Sequence, residues 1–354
     1  LPLFQDVELP ELRDDACFGS SAGGFEDCFG FGDGHVQVHA KPNGSSDENL
    51  RFEMSENSKI EWTDHTFNPW EGCQKVGPGC DRCYAEARNA RFSGGTAINW
   101  GPGAPRRRTS PANWRKPLAW NAAHREFFEA HGRRQRVFCA SLADVFDSAV
   151  DPVWRRDLFD LIELTPNLNW LLLTKRIGNV FEMVARARSH DWLAGRDNVW
   201  LGATIVNQEE ADRDIPKLLV VPARLRFLSL EPLLGPVDLE SIPWGGHRVS
   251  VLQGWNSPDH GLHWIIAGGE SGRDARPMHP DWTRSLRDQC AAAGVPFLFK
   301  QWGEWVPMMG HIEGVSVHGL KFIHLDGTIM GRAGKKAAGR CLDGRTHDEF
   351  PQGK

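Results

Sequence analysis

Runs of apolar residues recur at intervals of about 30 residues along most of the chain and predict strands. Nearly every position within each run is apolar, which is typical of strands covered on both faces of a parallel sheet. The segment HTFNPW at 65–70 predicts one more strand ahead of them. The six later runs lie at 136–142, 169–175, 198–206, 226–232, 264–270 and 296–302.

Segments with the period of amphipathic helices lie between the predicted strands. One of them has Asp281 near its start and Gly294 just past its end, as helix ends favour. Strands that alternate with helices predict βαβ units, and about seven strands favour a full or partial parallel (β/α) barrel, TIM-barrel-like, within the α/β class. A doubly wound sheet is the alternative. The helical segments lie at 152–164, 178–193, 207–220 and 280–294.

The first 53 residues have no sustained hydrophobic period and are rich in Gly, Ser and acidic residues. This composition predicts a disordered extension, and we expect Met54, the first methionine, to be the natural start. A flexible tail that belongs to the protein is the alternative. Residues 54–354 are expected to form a single barrel domain.

The composition, with 40% hydrophobic and 25% charged residues, is ordinary for a globular protein. No apolar run approaches the roughly 20 residues that span a bilayer, and the first residues lack the features of a signal peptide. We therefore expect a cytoplasmic protein without a membrane partner. The net charge of −5 conceals eleven acidic and three basic side chains within 1–53. The remainder is mildly basic, which is compatible with a nucleic-acid partner.

Polar and charged residues directly follow most of the predicted strands. In (β/α) barrels, functional groups lie at the carboxyl ends of the strands, so these residues predict a site at the mouth of the barrel. They are Asp144, Thr174, Lys175, Arg176, Asn207, Gln208, Glu231, Glu270, Ser271, Lys300 and Gln301.

Three of the eight cysteines, Cys73, Cys80 and Cys83, form a C-x6-C-x2-C array just after the first predicted strand. The intervening Gly-Pro-Gly would let the loop 73–83 curl around a metal. Clustered thiols in a reducing compartment favour metal binding over a disulfide. Zinc is one alternative, and an iron–sulfur cluster held by three thiolates is favoured because the loop would face the barrel mouth. The candidates for a fourth zinc ligand are His65, Cys139, Cys290 and Cys341.

Distinctive segments run from about residue 54 to residue 351: SKIEWTDHTFNPWEGCQKVGPGCDRCYAE, LTKR, LGATIVNQ, SLEPLLG, IIAGGESG, FLFKQWGEW and GRCLDGRTHDEFP. Together they resemble an uncharacterised family of phage and prophage proteins with a three-Cys motif. That family in turn resembles the radical S-adenosylmethionine (radical SAM) superfamily. The array departs from the C-x3-C-x2-C spacing usual in the superfamily, and the Gly-Gly-Glu element follows the sixth strand rather than the second.

The resemblance implies that Cys73, Cys80 and Cys83 bind three irons of a [4Fe–4S] cluster and that the fourth iron binds S-adenosylmethionine. Reductive cleavage of this cofactor would give a 5′-deoxyadenosyl radical that abstracts a substrate hydrogen. An external electron donor is implied, and a partner protein is compatible with the scheme. The candidate catalytic residues are Glu231, Glu270 and Lys175, and the further cofactor-binding candidates are Gly268, Gly269, Arg176 and Tyr84.

In this scheme, Glu231 or Glu270 would bind the ammonium of S-adenosylmethionine, and Lys175 or Arg176 its carboxylate. A basic loop at 101–117 interleaves cations with tryptophan, which suits phosphates and unstacked bases. It suggests a nucleic-acid or nucleotide substrate. Two other functions stay open, a zinc-binding nucleic-acid-binding protein and a barrel hydrolase. The hydrolase would use Asp144, Glu231, Glu270 and His279 as acid–base groups.

Overall fold

The computed structural model describes residues 58, 60–254, 260–308, 317 and 319–351. These residues belong to one compact unit that spans 54–354. The predicted extension, residues 1–53, lies outside the described residues.

Fourteen strands are present in the described part of the chain, and seven of them form one parallel sheet. The other strands form small antiparallel sheets outside it. The strands are β1 (His65–Thr66), β2 (Trp70–Glu71), β3 (Arg107–Arg108), β4 (Gln135–Cys139), β5 (Leu168–Thr174), β6 (Val199–Thr204), β7 (Leu225–Leu230), β8 (Ile242–Trp244), β9 (His247–Val249), β10 (Trp264–Gly268), β11 (Phe297–Gln301), β12 (Trp305–Pro307), β13 (Lys321–Ile323) and β14 (Ile329–Arg332).

The large sheet has the order β1-β4-β5-β6-β7-β10-β11, and every neighbouring pair is parallel. Each successive strand is therefore added on the same side of the one before it. A doubly wound sheet would reverse direction at a switch point, so that alternative is wrong. The sheet curls into a half-barrel, and the predicted α/β fold with seven parallel strands is confirmed.

The described residues contain eight α-helices, most of which cover the outer face of the sheet. None of them is long and apolar enough to cross a bilayer. The helices are α1 (Tyr84–Phe92), α2 (Pro111–Ala122), α3 (His124–His131), α4 (Pro152–Leu164), α5 (Ile177–Ala187), α6 (Gln208–Val220), α7 (Pro280–Ala293) and α8 (Lys335–Ala338).

The crossover helices α4 to α7 match the four predicted helical segments, and their ends have clear local causes. Asp151 and Asn207 accept hydrogen bonds from backbone N–H groups in the first turns of α4 and α6. The His279 ring does the same for α7, and Gly294 ends that helix with a φ of 68°. Helices α2 and α3 and the small sheets were not predicted from the apolar pattern.

The two faces of the sheet have different cores. Most apolar residues lie between the sheet and the helices. A second cluster fills the lower part of the concave face with Trp62, Phe138, Trp200, Phe227 and Trp264 among its members. Aromatic packing therefore closes the bottom of the half-barrel, and the carboxyl end is left to polar residues.

The last described residues run antiparallel along the edge strand β11. The Phe299 N–H donates to the His347 carbonyl oxygen at 3.0 Å, and the Glu349 N–H donates to Phe297 at 3.3 Å. Phe350 then packs on Trp264, with ring centroids 5.1 Å apart. This segment covers one exposed edge of the sheet, which an open half-barrel would otherwise present to other chains.

Candidate functional site

The cysteine loop, residues 73–83, lies across the carboxyl edge of the parallel sheet. A Cβ placed on Gly79 would lie 2.6 Å from the Val206 side chain and 3.6 Å from Lys175 Cε. Lys175 and Val206 follow the ends of β5 and β6 within two residues. The loop is therefore held where the polar strand-end residues gather.

Gly77 and Gly79 are needed because a side chain would not fit there, and not because their backbone angles require glycine. Gly77 has an extended backbone with a φ of −175°, and Pro78–Cys80 form one 3₁₀ turn. A Cβ on Gly77 would lie 2.5 Å from Glu210 Oε1. The sequence suggested that these glycines let the loop curl, whereas in the structure they let it pack closely on the start of α6.

Arg176 binds the first residues of the cysteine loop. Its Nη1 donates to Cys73 Sγ at 3.4 Å, and its Nη2 donates to the Gln74 carbonyl oxygen at 2.8 Å. The same Nη1 lies 3.1 Å from Asp144 Oδ2. Burial raises the pKa of the Cys73 thiol to about 11, and the Arg176 charge opposes that rise. The Arg176 guanidinium thus binds groups of the protein itself, whereas the sequence suggested that it binds the carboxylate of a ligand.

Glu270 ties the other end of the loop to the end of β10. Arg276 donates to both of its carboxylate oxygens, at 2.6 and 2.9 Å. The same guanidinium donates to the Pro78 carbonyl oxygen at 2.9 Å and to Asp81 Oδ2 at 3.2 Å. Arg82 makes a longer contact with Glu270 at 3.4 Å. Because Glu270 is only 6% exposed and is paired with arginine, its carboxylate holds the loop in place.

Glu231 lies on the concave face of the sheet and stays partly accessible. Lys300 Nζ lies 2.7 Å from each of its carboxylate oxygens, and Gln301 Nε2 donates to Oε1 at 3.1 Å. The Lys300 and Glu231 side chains are 13% and 19% exposed. Of the two candidate carboxylates, Glu231 is therefore the one that a ligand can still reach.

Tyr84 follows the cysteine loop and lies within range of the Glu231 charge. Its ring is largely exposed, but its hydroxyl reaches inward and donates to the Ser141 carbonyl oxygen at 2.6 Å. The pKa of this phenol is raised, first by burial of the hydroxyl and then by the negative charges of Cys83 and Glu231. The phenol therefore stays protonated and acts as a hydrogen-bond donor beside the cysteine loop.

The two glycines before Glu270 have different surroundings. A Cβ on Gly269 would lie 1.9 Å from the Trp302 carbonyl oxygen, so no side chain fits there. A Cβ on Gly268 would meet only ordinary contacts, at 3.5 Å from Lys300 Cβ and 3.6 Å from Glu231 Cδ. Gly269 is thus required for the packing of β10 on the residues after β11, whereas a methyl group at Gly268 would fit in van der Waals contact with Glu231 and Lys300.

The three loop cysteines are free thiols, and Cys80 is the most buried of them. Cys83 directly precedes helix α1. Among the described residues, three metal-ligand atoms lie within 4.8 Å of one another only at His279, Asp281 and Asp326. The three loop sulfurs are therefore not all within 4.8 Å of one another, whereas a tetrahedral zinc site holds its sulfurs roughly 3.8 Å apart.

The other candidate zinc ligands have structural surroundings. His65 stacks on Trp120 with ring centroids 4.1 Å apart. Cys139 and Cys290 are buried in β4 and α7. Cys341 is a partly buried thiol of the C-terminal segment.

His279 and Asp281 lie at the start of α7, where Asp326 from the turn between β13 and β14 meets them, and their side chains already have partners within the protein. His279 Nδ1 accepts from the Asp281 N–H at 3.1 Å, which leaves Nε2 protonated to donate to Asp326 at 2.9 Å. This ring therefore serves a helix end. The Asp144 carboxylate likewise accepts from Thr174 at 2.7 Å. Of the acid–base groups that a hydrolase would use, only Glu231 keeps an accessible carboxylate.

The basic loop at 101–117 contains groups that the protein uses internally. Arg106 Nε donates to Asp147 at 2.8 Å, and both side chains are almost fully buried. Arg108 lies 4.3 Å from the centre of the buried Trp114 ring. The tryptophan expected to stack on bases is therefore part of the core.

Two residues of the site, Arg276 and Lys300, were not assigned a role from the sequence. Lys300 could be found from strand alternation, because it shares the concave face with Leu298 of β11. Arg276 lies in a loop without a periodic pattern. Its contacts with Glu270 and Pro78 depend on the tertiary fold.

The fold and the site define an α/β half-barrel protein with a three-cysteine loop across the carboxyl ends of its strands. A family model described as "Protein of unknown function (DUF5131)" matches residues 57–351, and the chain belongs to this family. Neither a curated protein nor a solved structure matches the chain significantly.

Proposed function

We propose that the protein is a cytoplasmic iron–sulfur enzyme of the radical SAM type, built on a partial TIM-like (β/α) barrel. One observation carries the proposal: the loop with Cys73, Cys80 and Cys83 packs on Lys175 and Val206 at the carboxyl edge of the parallel sheet, the edge at which the partly accessible Glu231 also lies. In (β/α) barrel enzymes, the active site lies at this edge of the sheet. A loop that only stapled the fold could lie anywhere on the surface.

The donor set suits a cluster better than a single ion. Three thiols come from one loop, and a cubane cluster would be bound by one thiolate on each of three irons, so its sulfurs stand farther apart than around zinc. Cys73, Cys80 and Cys83 would therefore hold a [4Fe–4S] cluster, with one iron left for S-adenosylmethionine. When bound, the cluster supplies the electron that cleaves the sulfonium bond of S-adenosylmethionine.

Residues around the loop would bind the ammonium and carboxylate groups of S-adenosylmethionine. Glu231, held in one orientation by Lys300 and Gln301, would bind the ammonium of S-adenosylmethionine. Lys175, whose charge also acts on the Glu210 carboxylate, would bind the carboxylate of S-adenosylmethionine. Glu270 and Arg176 hold the loop and are not needed for either contact. The Tyr84 hydroxyl would face the bound molecule from the loop side.

The substrate of the proposed enzyme is a polar molecule that enters at the same mouth, and a nucleic acid or nucleotide is our candidate class. The mildly basic charge of the chain outside residues 1–53 supports this class. The reaction also requires an external electron donor, which a partner protein would supply.

The test is to purify the protein without oxygen and to measure iron, acid-labile sulfide, zinc and visible absorbance. The proposal predicts a coloured protein that contains iron and sulfide, and loss of both in Cys80→Ala and Cys83→Ala. Cys341→Ala is the matched control, because Cys341 is a free thiol outside the loop, and it should keep the cluster. Reductant and S-adenosylmethionine should then yield methionine and 5′-deoxyadenosine.

Two other outcomes would overturn the proposal. A colourless protein with stoichiometric zinc, lost in Cys80→Ala, would favour the zinc-binding nucleic-acid-binding protein. A protein that is folded and hydrolytically active without any metal would favour the hydrolase, with Glu231 as its acid–base group.

A further inference from the structure

We infer that Arg176 is a positioning residue for the Cys73 sulfur and that it raises the reduction potential of the cluster bound there. The inference rests on the proposed function, because it concerns the same cluster. Its basis is the hydrogen bond from Arg176 Nη1 to Cys73 Sγ at 3.4 Å. Arg176 contacts the sulfur itself and the backbone of the next residue, Gln74.

The orientation of Arg176 is fixed from behind by a buried carboxylate. Asp144 Oδ2 accepts from Nη1 at 3.1 Å, and the two side chains are each only 7% exposed. Asp144 is itself held by the Thr174 hydroxyl at 2.7 Å and the Lys175 N–H at 3.0 Å. The guanidinium therefore needs little rearrangement to donate to the sulfur, as supporting hydrogen bonds do around metal ligands.

The expected effect follows from charge. A reduced cluster carries one more negative charge than an oxidised one, and a donor on a cysteine sulfur stabilises that added charge. Replacing Arg176 with methionine removes this donor and leaves the Asp144 carboxylate beside the sulfur without its cation. Both changes disfavour the reduced state, so Arg176→Met should shift the midpoint potential to a more negative value.

Arg276 offers a matched control on the same loop. Its guanidinium binds the Pro78 carbonyl oxygen and Asp81 and pairs with Glu270, and its hydrogen bonds go to oxygens. Arg276→Met therefore loosens the loop without removing a donor from sulfur. It also leaves Glu270 with only the longer contact from Arg82, so it should shift the midpoint potential less than Arg176→Met does.

The experiment is an anaerobic redox titration of the wild type, Arg176→Met, Arg176→Lys and Arg276→Met, each checked for iron and sulfide content. The inference expects a negative shift in Arg176→Met and smaller shifts of the same sign in Arg176→Lys and Arg276→Met. Lysine keeps the charge but lacks the fork that reaches both Cys73 and Gln74. If Arg176→Met fails to fold or to hold a cluster, Arg176→Lys decides the result.

Two results overturn the inference alone. One is an unchanged potential in the Arg176 variant that holds a cluster, and the other is an equal shift in Arg176→Met and Arg276→Met. A wild-type protein without iron and sulfide would instead overturn the proposed function, so the two failures can be told apart.

Discussion

Gly269→Ala should destabilise the fold, whereas Gly268→Ala should not, although the two glycines are adjacent and both precede Glu270. At Gly269 an added Cβ would lie 1.9 Å from the Trp302 carbonyl oxygen and 2.7 Å from its carbonyl carbon. These are backbone atoms, which cannot turn away as a flexible side chain can. At Gly268 the nearest atoms would lie at ordinary contact distances of 3.5 and 3.6 Å.

The size of the destabilisation follows from the backbone movement that the new methyl group would require. Relieving the contact at Gly269 requires β10 and the residues after β11 to separate by roughly 1.5 Å, and overpacking of this kind costs about 1–3 kcal/mol. The separation also weakens the hydrogen bond from the Gly269 N–H to Gln301, 2.9 Å long, which contributes about 1 kcal/mol. We therefore expect Gly269→Ala to lower the free energy of unfolding by about 3 kcal/mol. Gly268→Ala should stay within about 1 kcal/mol of the wild type, because alanine also lowers the entropy of the unfolded chain.

The assay is urea unfolding of both variants and the wild type, followed by tryptophan fluorescence and circular dichroism. Gly268→Ala has a second expected effect, since its methyl group would lie beside Glu231 and Lys300. It should weaken binding at the concave face while stability is kept. If Gly269→Ala were as stable as Gly268→Ala, the assignment of Gly269 to packing would be refuted.

Two further predictions concern ion pairs. Arg106→Met should lower the free energy of unfolding by roughly 3–5 kcal/mol, because it leaves the Asp147 carboxylate buried without its closest cation. Urea unfolding measures this loss, and Arg107→Met, at the exposed neighbouring residue, is the control. If the two variants lost the same free energy of unfolding, the prediction would be wrong. The hydrogen bond from Arg284, helped by Arg287, lowers the pKa of Asp343 from 3.8 to about 2. This folded-state pKa lies below the unfolded value, so the stabilisation is complete above about pH 4 and is lost as the pH falls towards 2. Asp343→Asn should therefore lower the free energy of unfolding by about 1 kcal/mol or less at pH 6, since the pair is solvent-screened. The difference between the variant and the wild type should shrink as the pH falls towards 2. A difference near pH 2 as large as that at pH 6, in the same assay, would contradict this.

The strands and crossover helices were predictable because their causes are local. Strands that are apolar at nearly every position, as in β5 and β6, indicate coverage on both faces wherever they occur. Helices α4 and α6 begin at Asp151 and Asn207, whose side chains cap them within the same segment. Strand order is different, because it depends on which edges meet in space. The number of strands favoured a full or partial barrel, but the sequence could not exclude the doubly wound sheet.

The candidate site was predictable in position but not in the role of each residue. The rule that parallel strands bring their carboxyl ends together places Lys175, Glu231 and Glu270 at one edge. It does not say which partner each carboxylate has or which one is buried. Glu270 is paired with Arg276, six residues later in a loop without any pattern, and the same guanidinium also binds Pro78 of the cysteine loop.

The arginine and lysine side chains at the carboxyl edge of the sheet have different contacts. Arg82, Arg176 and Arg276 bind the loop or the carboxylate that holds it, since a planar fork can donate to two or more oxygens or sulfurs at once. Lys300 and Lys175 are compact charges on the sheet side, and the first of them orients Glu231. The arginines therefore hold the loop that carries the thiols, and in the function we propose the lysines and Glu231 would bind the ligand. A sequence shows five basic residues, and only the fold shows that they form two sets with different tasks.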